Sequence, residues 1–457
     1  MDLSPRKAWL LCLVSIASFH AAFSIPGAGG LILLYLLGLL LLARVSNEKQ
    51  AFGFGLVVGY GTFAPQLLFF FFVVGPLAPV LWFVLAFWTA FFVTVAHLCL
   101  KRWGSRGMLL APLAWTGIEY FRSELYPLKF TWLGAAQALP DSLSRSVLLP
   151  AFGAYGAGFL MVLGLALLLW MPRRAAGVGL LAALAALGLL LPAPNRKSGA
   201  PPRPRLAAVC NLPIAGIQAE FPDEDQVPRL LDKLILQHPE AQLLVMSEYT
   251  FEGPVPAAVR DWCRRKGKYL IVGGKDPVGD SQFRNTAFVL GPDGEICFRQ
   301  AKSVPIQFFK DGLPAEHQAL WNSPWGKLGI CVCYDLSYRR VTDELVRQGA
   351  EAIIVPTMDM ALWGEQEHRQ AARLAPVRAA EYGIPIFRLC SSGISQAVDA
   401  AGRTLASAPF PGDRATLAVQ LPLRGAGTRP LDRLLAPLCV LVTAVLAVAL
   451  SVKPRKG

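Results

Sequence analysis

Three residues in the second half of the chain carry groups that together could do covalent chemistry. They are Glu248 in VMSEYTFEGP, Lys302 in RQAKSVP and Cys333 in GICVCYDLSYRR. A carboxylate, an ammonium and a thiol are the parts needed to make and resolve a thioester: base, oxyanion partner and nucleophile. Each residue taken alone has a plain structural explanation. A free cysteine is usually a small buried hydrophobe. A strand-end glutamate is usually a solvated acid, and a lone lysine usually lies on the surface. What raises the trio above these readings is common placement. Each member follows a short apolar, strand-like run, and strand ends on one sheet edge converge from distant points in a sequence.

The elements that must position them read as an α/β pattern. LAAVCNL, AQLLVMSE, KYLIVGG, NTAFVLGP, EICFRQ, KLGICVCYD, AEAIIVP, IPIFRLCS and SQAVDAAG have strand character. VPRLLDKLILQ, PAAVRDWCRRKG, RVTDELVRQG and EHRQAARLAPVRAAEYG have helical periodicity. Sheets covered by helices are expected. Cys331 and Cys333 share one strand face, so Cys331 is expected to pack behind the thiol. Because the trio is read as a site and not a core, Cys333→Ser and Lys302→Ala are expected to abolish turnover with little loss of folding.

The rest of the chain is a different material. Of its 457 residues 54% are hydrophobic and only 16% charged, with a mean hydropathy of +0.44. These values point to a membrane protein. Apolar runs at about 8–24, 27–44, 51–73, 77–99, 107–122, 147–170 and 175–192 precede the α/β segment, and one at about 433–452 follows it. Each is near the length of a bilayer crossing, which predicts about eight transmembrane helices. The N-terminus resembles a signal peptide but lacks a convincing small-x-small site, so it is read as a retained first helix. Lys and Arg cluster at positions 6–7, 44–49, 101–106, 173–174 and 453–456, while the turns near 25 and 75 have none. The positive-inside pattern then places both termini in the cytoplasm and the α/β segment on the outer face, the periplasmic side in a bacterium. The expected domains are 1–195 (membrane), 196–430 (catalytic, opening on the Pro-rich linker PAPNRKSGAPPRPR) and 431–457 (last helix and basic tail). A net charge of +13 is accounted for by these loops, and no nucleic-acid-binding motif accompanies it. The nine cysteines show neither a disulfide framework nor zinc spacing, and no cofactor or metal is expected. Glu119 and Arg122 are three apart near the end of a span and either pair or snorkel to the interface. Trp115 and Trp132 read as interfacial anchors.

Several further stretches resemble one family. LAWTGIEYFRSELYPLKFTWLGAAQ (113–137), VPTMDMALWG (355–364) and RLAPVRAAEYGIPIFRLCSSGISQAVDAAGR (373–403) resemble signatures of the apolipoprotein N-acyltransferases, the membrane-anchored branch of the nitrilase superfamily. Glu248, Lys302 and Cys333 fall where that family has its base, lysine and nucleophile. The resemblance implies a multi-pass α-helical membrane domain joined to a nitrilase-like αββα sandwich, located in a bacterial inner membrane. It implies ping-pong acyl transfer from a phospholipid, through a thioester on Cys333, to the N-terminal amine of a diacylated apolipoprotein. Tyr249, Gln307, Tyr334, Asp335 and Trp363 are the expected supporting or substrate-binding residues. The chain departs from the family where Lys-x-x-Leu-Val-Pro-Phe-Gly-Glu becomes KSVPIQFFKDG, so the second Glu is missing and Gln307 or Asp311 is left to fill part of its role. Tyr-Glu after the nucleophile becomes Tyr334-Asp335, and Asn-Asp becomes Met358-Asp359. A membrane-tethered amidase, an acyltransferase with another amine acceptor and a non-catalytic paralogue are the alternatives.

Overall fold

A computed structural model describes residues 3–139, 143–171 and 210–451. The seventh expected span, the Pro-rich linker and the basic tail lie outside the described residues. The chain divides into two units, Met1–Lys197 with Pro430–Gly457, and Ser198–Arg429.

The first unit is helical. Four stretches, Pro5–Ser24, Phe70–Leu125, Val147–Trp170 and Asp432–Ser451, are long and apolar enough to cross a bilayer. The expected span 51–73 is broken: a helix runs Glu48–Gln66 and a short one Phe70–Val74. Pro65 ends the first of these by removing a donor and crowding the previous turn. Small residues let helices approach closely. Gly55 and Gly59 lie flush on Ala90 and Ala86 of the helix Ala78–Trp103, and Gly117 lies flush on Cys439 of the final helix. The helix Leu143–Trp170 kinks at Gly153, whose φ is +71°. A Cβ there would sit 2.3 Å from the Asp432 carboxylate, so glycine is required by both conformation and space. Asp432 accepts the Tyr155 N–H at 3.1 Å and so caps the second half of the kinked helix. Trp132 is 7% exposed and buried against Phe69 and Phe130, and Trp115 packs edge-on to Phe92. Trp132 thus serves the interior of the unit and is not an interfacial anchor, while Trp115 is half-buried.

The second unit is built on twelve strands among the described residues. In chain order they are β1 Cys210–Ile217, β2 Leu243–Val245, β3 Tyr269–Val278, β4 Gln282–Leu290, β5 Ile296–Ala301, β6 Leu320–Ser323, β7 Gly326–Ile330, β8 Ala352–Thr357, β9 Ile386–Cys390, β10 Ser395–Val398, β11 Thr404–Ala408 and β12 Thr416–Leu423. They form two sheets, β12-β1-β2-β3-β4-β5 and β11-β10-β9-β8-β7-β6. In each, three central strands are parallel (β1-β2-β3 and β7-β8-β9) and the flanking strands antiparallel. The period-2 pattern sorts the faces. Leu243, Val245, Ile271, Ile330, Ile354, Phe387 and Leu389 fill one core between the sheets. Leu244, Leu270 and Val272 point the other way, onto Leu231 and Leu234 of helix Val227–Gln237 and Val259 and Trp262 of helix Ala257–Lys266. On the second sheet, Gly329 gives room to Leu345 of helix Arg339–Arg347. The result is the expected αββα sandwich.

The single helix expected over 367–383 is two, Glu365–Ala371 and Leu374–Tyr382. Strands β6, β11 and β12 lie outside the expected set; all three are sheet edges with partly or fully exposed positions, which blurs alternation.

Candidate active site

Parallel sheets collect functional groups at the carboxyl ends of their strands, and the site forms there. Chain leaving β2 carries Glu248, chain leaving β5 carries Lys302, chain leaving β7 carries Cys333, and chain leaving β8 carries Met358 and Asp359. Gly273 of β3 lets these elements close up: a Cβ there would meet the Glu248 Cα at 2.6 Å.

The structure brings Glu248 and Lys302 into contact. The Lys302 Nζ donates to Glu248 Oε1 at 2.9 Å, and both side chains are 1% exposed. The same ammonium lies 2.7 Å from Asp311 Oδ2. Asp311, on the altered segment KSVPIQFFKDG, is therefore the second carboxylate of the site; Gln307 is half-buried on that segment, between Ile306 and the exposed Phe308. Asp311 also accepts from Tyr249 Oη at 2.7 Å and from the Ile306 N–H at 2.7 Å. Tyr249, an expected supporting residue, thus acts on the acid and not on the nucleophile. Asn285 Nδ2 donates to both Glu248 Oε1 (2.6 Å) and Asp311 Oδ1 (2.9 Å). The second oxygen of Glu248 accepts the Met358 N–H at 2.8 Å.

Cys333 opens a 3₁₀ turn, Cys333–Ser337, with φ at +51°, a left-handed value that side chains other than glycine rarely adopt. Such a turn lifts its first side chain away from the sheet. The half-buried Sγ donates to the Met358 carbonyl oxygen at 3.7 Å, beside the Glu248 carboxylate that accepts the Met358 N–H. Cys331 is fully buried behind it, as expected.

Asp335 supports the site through backbone N–H groups. It is fully buried, and its oxygens accept the N–H groups of Ser303 (3.0 Å), Val304 (2.7 Å) and Val332 (3.2 Å). One carboxylate thereby ties the segment after Lys302 to the turn that carries Cys333. Arg378 holds the far end of this turn through the carbonyls of Leu336 (3.2 Å) and Ser337 (2.6 Å), and is itself paired with Glu381. Tyr334 stacks edge-on against Tyr338 at 5.0 Å. Trp363 is half-buried in the turn Ala361–Trp363, beyond Met358.

The electrostatics follow from burial and charge count. Burial pushes the Glu248 carboxyl up, Lys302 pulls it back and Asp311 pushes it up again. Burial works against the Lys302 ammonium, but Glu248, Cys333 and Asp311 outweigh it and hold its pKa well above the ordinary lysine value. Burial also opposes the Asp311 anion, yet Lys302 holds it below the usual carboxylate range. Burial and the Glu248 charge push the Cys333 thiol well up. Asp335 is raised by burial to about 6, against its backbone donors. A thiol whose neutral form is favoured thus lies beside a carboxyl of raised proton affinity, an arrangement suited to proton transfer.

A second polar cluster lies beyond Met358. Ligand atoms of Asp359, Glu367 and His368 fall within 4.8 Å of one another. Two of the three are committed to the protein: His368 directs Nδ1 at the Gly393 carbonyl (2.6 Å) and Nε2 at the Met360 carbonyl (3.1 Å), and Asp359 is ion-paired with Arg388. The cluster braces the 358–360 segment.

Asn285, Asp311 and the Met358 N–H complete the site beyond the trio. Asp311 was legible as a carboxylate shortly after the lysine. Asn285 looks like any strand residue in RNTAFVL, and a backbone N–H has no sequence signature.

Two family models match the chain: Apolipoprotein N-acyltransferase N-terminal domain over residues 15–167, and Carbon-nitrogen hydrolase over 234–427. An apolipoprotein N-acyltransferase of Geobacter metallireducens is 23% identical and aligns over 90% of this chain and 88% of its own length. Another, of Bdellovibrio bacteriovorus, is 23% identical over 41% of this chain and 37% of its own. A deaminated glutathione amidase of Yersinia enterocolitica is 27% identical over 35% of this chain and 63% of its own. The amidase alignment is partial, whereas the first acyltransferase spans nearly everything, membrane helices included. The chain belongs to the apolipoprotein N-acyltransferase family, within the carbon-nitrogen hydrolases.

Proposed function

We propose that this acyltransferase completes lipoproteins by N-acylation, moving a fatty acyl chain from a phospholipid to the α-amine of a diacylglyceryl-cysteine through a thioester on Cys333. The observation that carries the mechanism is the half-buried Cys333 thiol on a left-handed turn, bonded to the Met358 carbonyl whose own N–H is held by a Glu248 that Lys302 in turn holds.

In the first half-reaction Sγ attacks the ester carbonyl carbon and Glu248 takes the thiol proton. The developing oxyanion is stabilised by the Lys302 ammonium. Collapse breaks the ester C–O bond, and Glu248 returns the proton to the departing lysophospholipid oxygen. In the second half-reaction the neutral amine attacks the thioester and gives a proton to Glu248. Collapse forms the amide and returns that proton to Sγ. Two moderate barriers replace one high one. Asp311 keeps Lys302 protonated and in place throughout.

The placement of Lys and Arg supports eight crossings of a bacterial inner membrane, with both termini cytoplasmic and 198–429 outside. A reporter fused after residue 174 is expected to read cytoplasm and one near 198 the outer side; the reverse would break this topology. For the chemistry, purified protein mixed with phospholipid is expected to gain one acyl mass on the peptide carrying Cys333. A synthetic diacylated lipopeptide is then expected to discharge it and gain that mass. An adduct that the lipopeptide does not discharge would sink the acceptor assignment.

A further inference from the structure

Two carboxylates, Glu248 and Asp311, share one ammonium in a site with almost no solvent. Something must hold two like charges together there. We infer that Asn285 is the positioning residue of this acyl transfer: its one amide nitrogen spends a hydrogen on each carboxylate and so holds both on Lys302.

The geometry is specific. Nδ2 has two hydrogens, and the two acceptors lie at 2.6 and 2.9 Å on different acids. The orientation of the amide is settled by its surroundings. Rotated by half a turn, Oδ1 would face two carboxylate oxygens, so the nitrogen belongs where it is. Asn285 is fully buried, and its own Oδ1 has no hydrogen-bond partner. An unpaired buried acceptor is unfavourable. A residue selected only to fill space would be apolar and avoid it, so the donors are what the position requires. The backbone adds to this: the Asn285 carbonyl accepts the Lys302 N–H at 2.8 Å. One residue thus registers the lysine's main chain and both of its counter-ions.

The consequence concerns the base. Without the amide, nothing neutral separates Glu248 from Asp311, and Glu248 takes up a proton at higher pH. This rests on Glu248 being the base for Cys333. The test is therefore a thiol probe that needs neither lipid nor lipoprotein. Iodoacetamide alkylation of Cys333 in the full-length protein is followed by peptide mass from pH 4 to 9. Wild type is expected to lose rate on the acid side as Glu248 is protonated. Asn285→Ala is expected to move that limb up by about one pH unit, a roughly tenfold slower alkylation at a pH below it. Asn285→Asp, which keeps the shape but adds a third acid, is expected to move it at least as far. A limb that stays in place in a folded Asn285→Ala protein, with only the plateau lowered, would overturn the inference. If Asn285→Ala does not fold, Asn285→Asp decides by the same criterion; if neither folds, Asn285 is a folding residue and the inference falls. A wild-type thiol that titrates with no Glu248-dependent limb would instead remove the base reading itself, and this proposal with it.

Discussion

Two buried charge clusters, one in each unit, are built in opposite ways. In the helical unit Glu119 and Arg122 are 7% and 5% exposed, so neither snorkels to an interface. Glu119 accepts the Ala135 N–H at 3.0 Å, and Arg122 donates to the Phe130 carbonyl at 3.3 Å and lies 5.5 Å from the Phe63 ring centre. One acid, one base and backbone partners make a balanced set that braces packed helices. In the sandwich unit two acids share one ammonium, with a thiol alongside. That set carries an excess negative charge and a base whose proton affinity is raised. Balanced buried charge holds helices together; unbalanced buried charge is poised to move a proton.

The largest expected effect is on the unbalanced set. Cys333→Ala is expected to leave no acyl adduct by mass and to lower turnover at least a thousandfold, because the covalent route is gone. Glu248→Gln is expected to lower the rate of acyl-enzyme formation by about 10²–10⁴, the range for loss of a general base. Its melting temperature should stay near wild type, since Lys302 keeps Asp311. Equal acylation rates in the two proteins would break the assignment of roles.

Lys302 sharpens the contrast, and here the structure corrects the expectation of a mild folding effect. The residue is fully buried between two carboxylates. Lys302→Ala strands both acids and is expected to destabilise the sandwich by about 3–5 kcal/mol at neutral pH, besides ending turnover. Part of that stability should return on acidification, as the acids take up protons. A denaturant midpoint unchanged from wild type would contradict it.

Breaking the balanced set should look different. Arg122→Met is expected to destabilise the helical unit by about 2–4 kcal/mol, and Glu119→Gln in the same chain should restore much of it. Neither change should move the pH profile of Cys333 alkylation. A shift in that profile would mean the Glu119–Arg122 pair takes part in the chemistry.

The smallest expected effect is a pH dependence. Asp335 has a folded pKa of about 6 against an ordinary 3.8. A raised folded pKa contributes stability that is complete below the ordinary value and lost as pH rises through about 6. At pH 7 the buried anion therefore costs about 3 kcal/mol relative to pH 3.5, at 1.36 kcal/mol per unit. The wild-type stability curve should fall between pH 3 and 7.5 by that much more than the Asp335→Asn curve. Parallel curves would show that Asp335 titrates normally.

Most of this architecture was legible because its signals are local. Apolar runs marked the membrane helices, and strand-like runs marked the ends on which Glu248, Lys302 and Cys333 sit. Breaks inside apolar stretches, at Gln66 and Gly153, were hidden because hydropathy does not register a kink. Edge strands β6, β11 and β12 were hidden because partly exposed edges do not alternate cleanly. Tyr249 and Asp335 were read as supporting or substrate-binding residues, but their partners, Asp311 for one and the backbone after Lys302 and before Cys333 for the other, were hidden. Such roles depend on which side chain meets which across the fold, and spacing along the chain does not encode that.

The central claim is that the unbalanced cluster exists to acylate and deacylate Cys333. Intact-mass analysis of the full-length protein tests it directly, first with phospholipid alone and then with a diacylated lipopeptide. One acyl mass is expected on the Cys333 peptide, absent in Cys333→Ala and transferred to the lipopeptide on its addition. Acylation of the lipopeptide at wild-type rate by Cys333→Ala would contradict it.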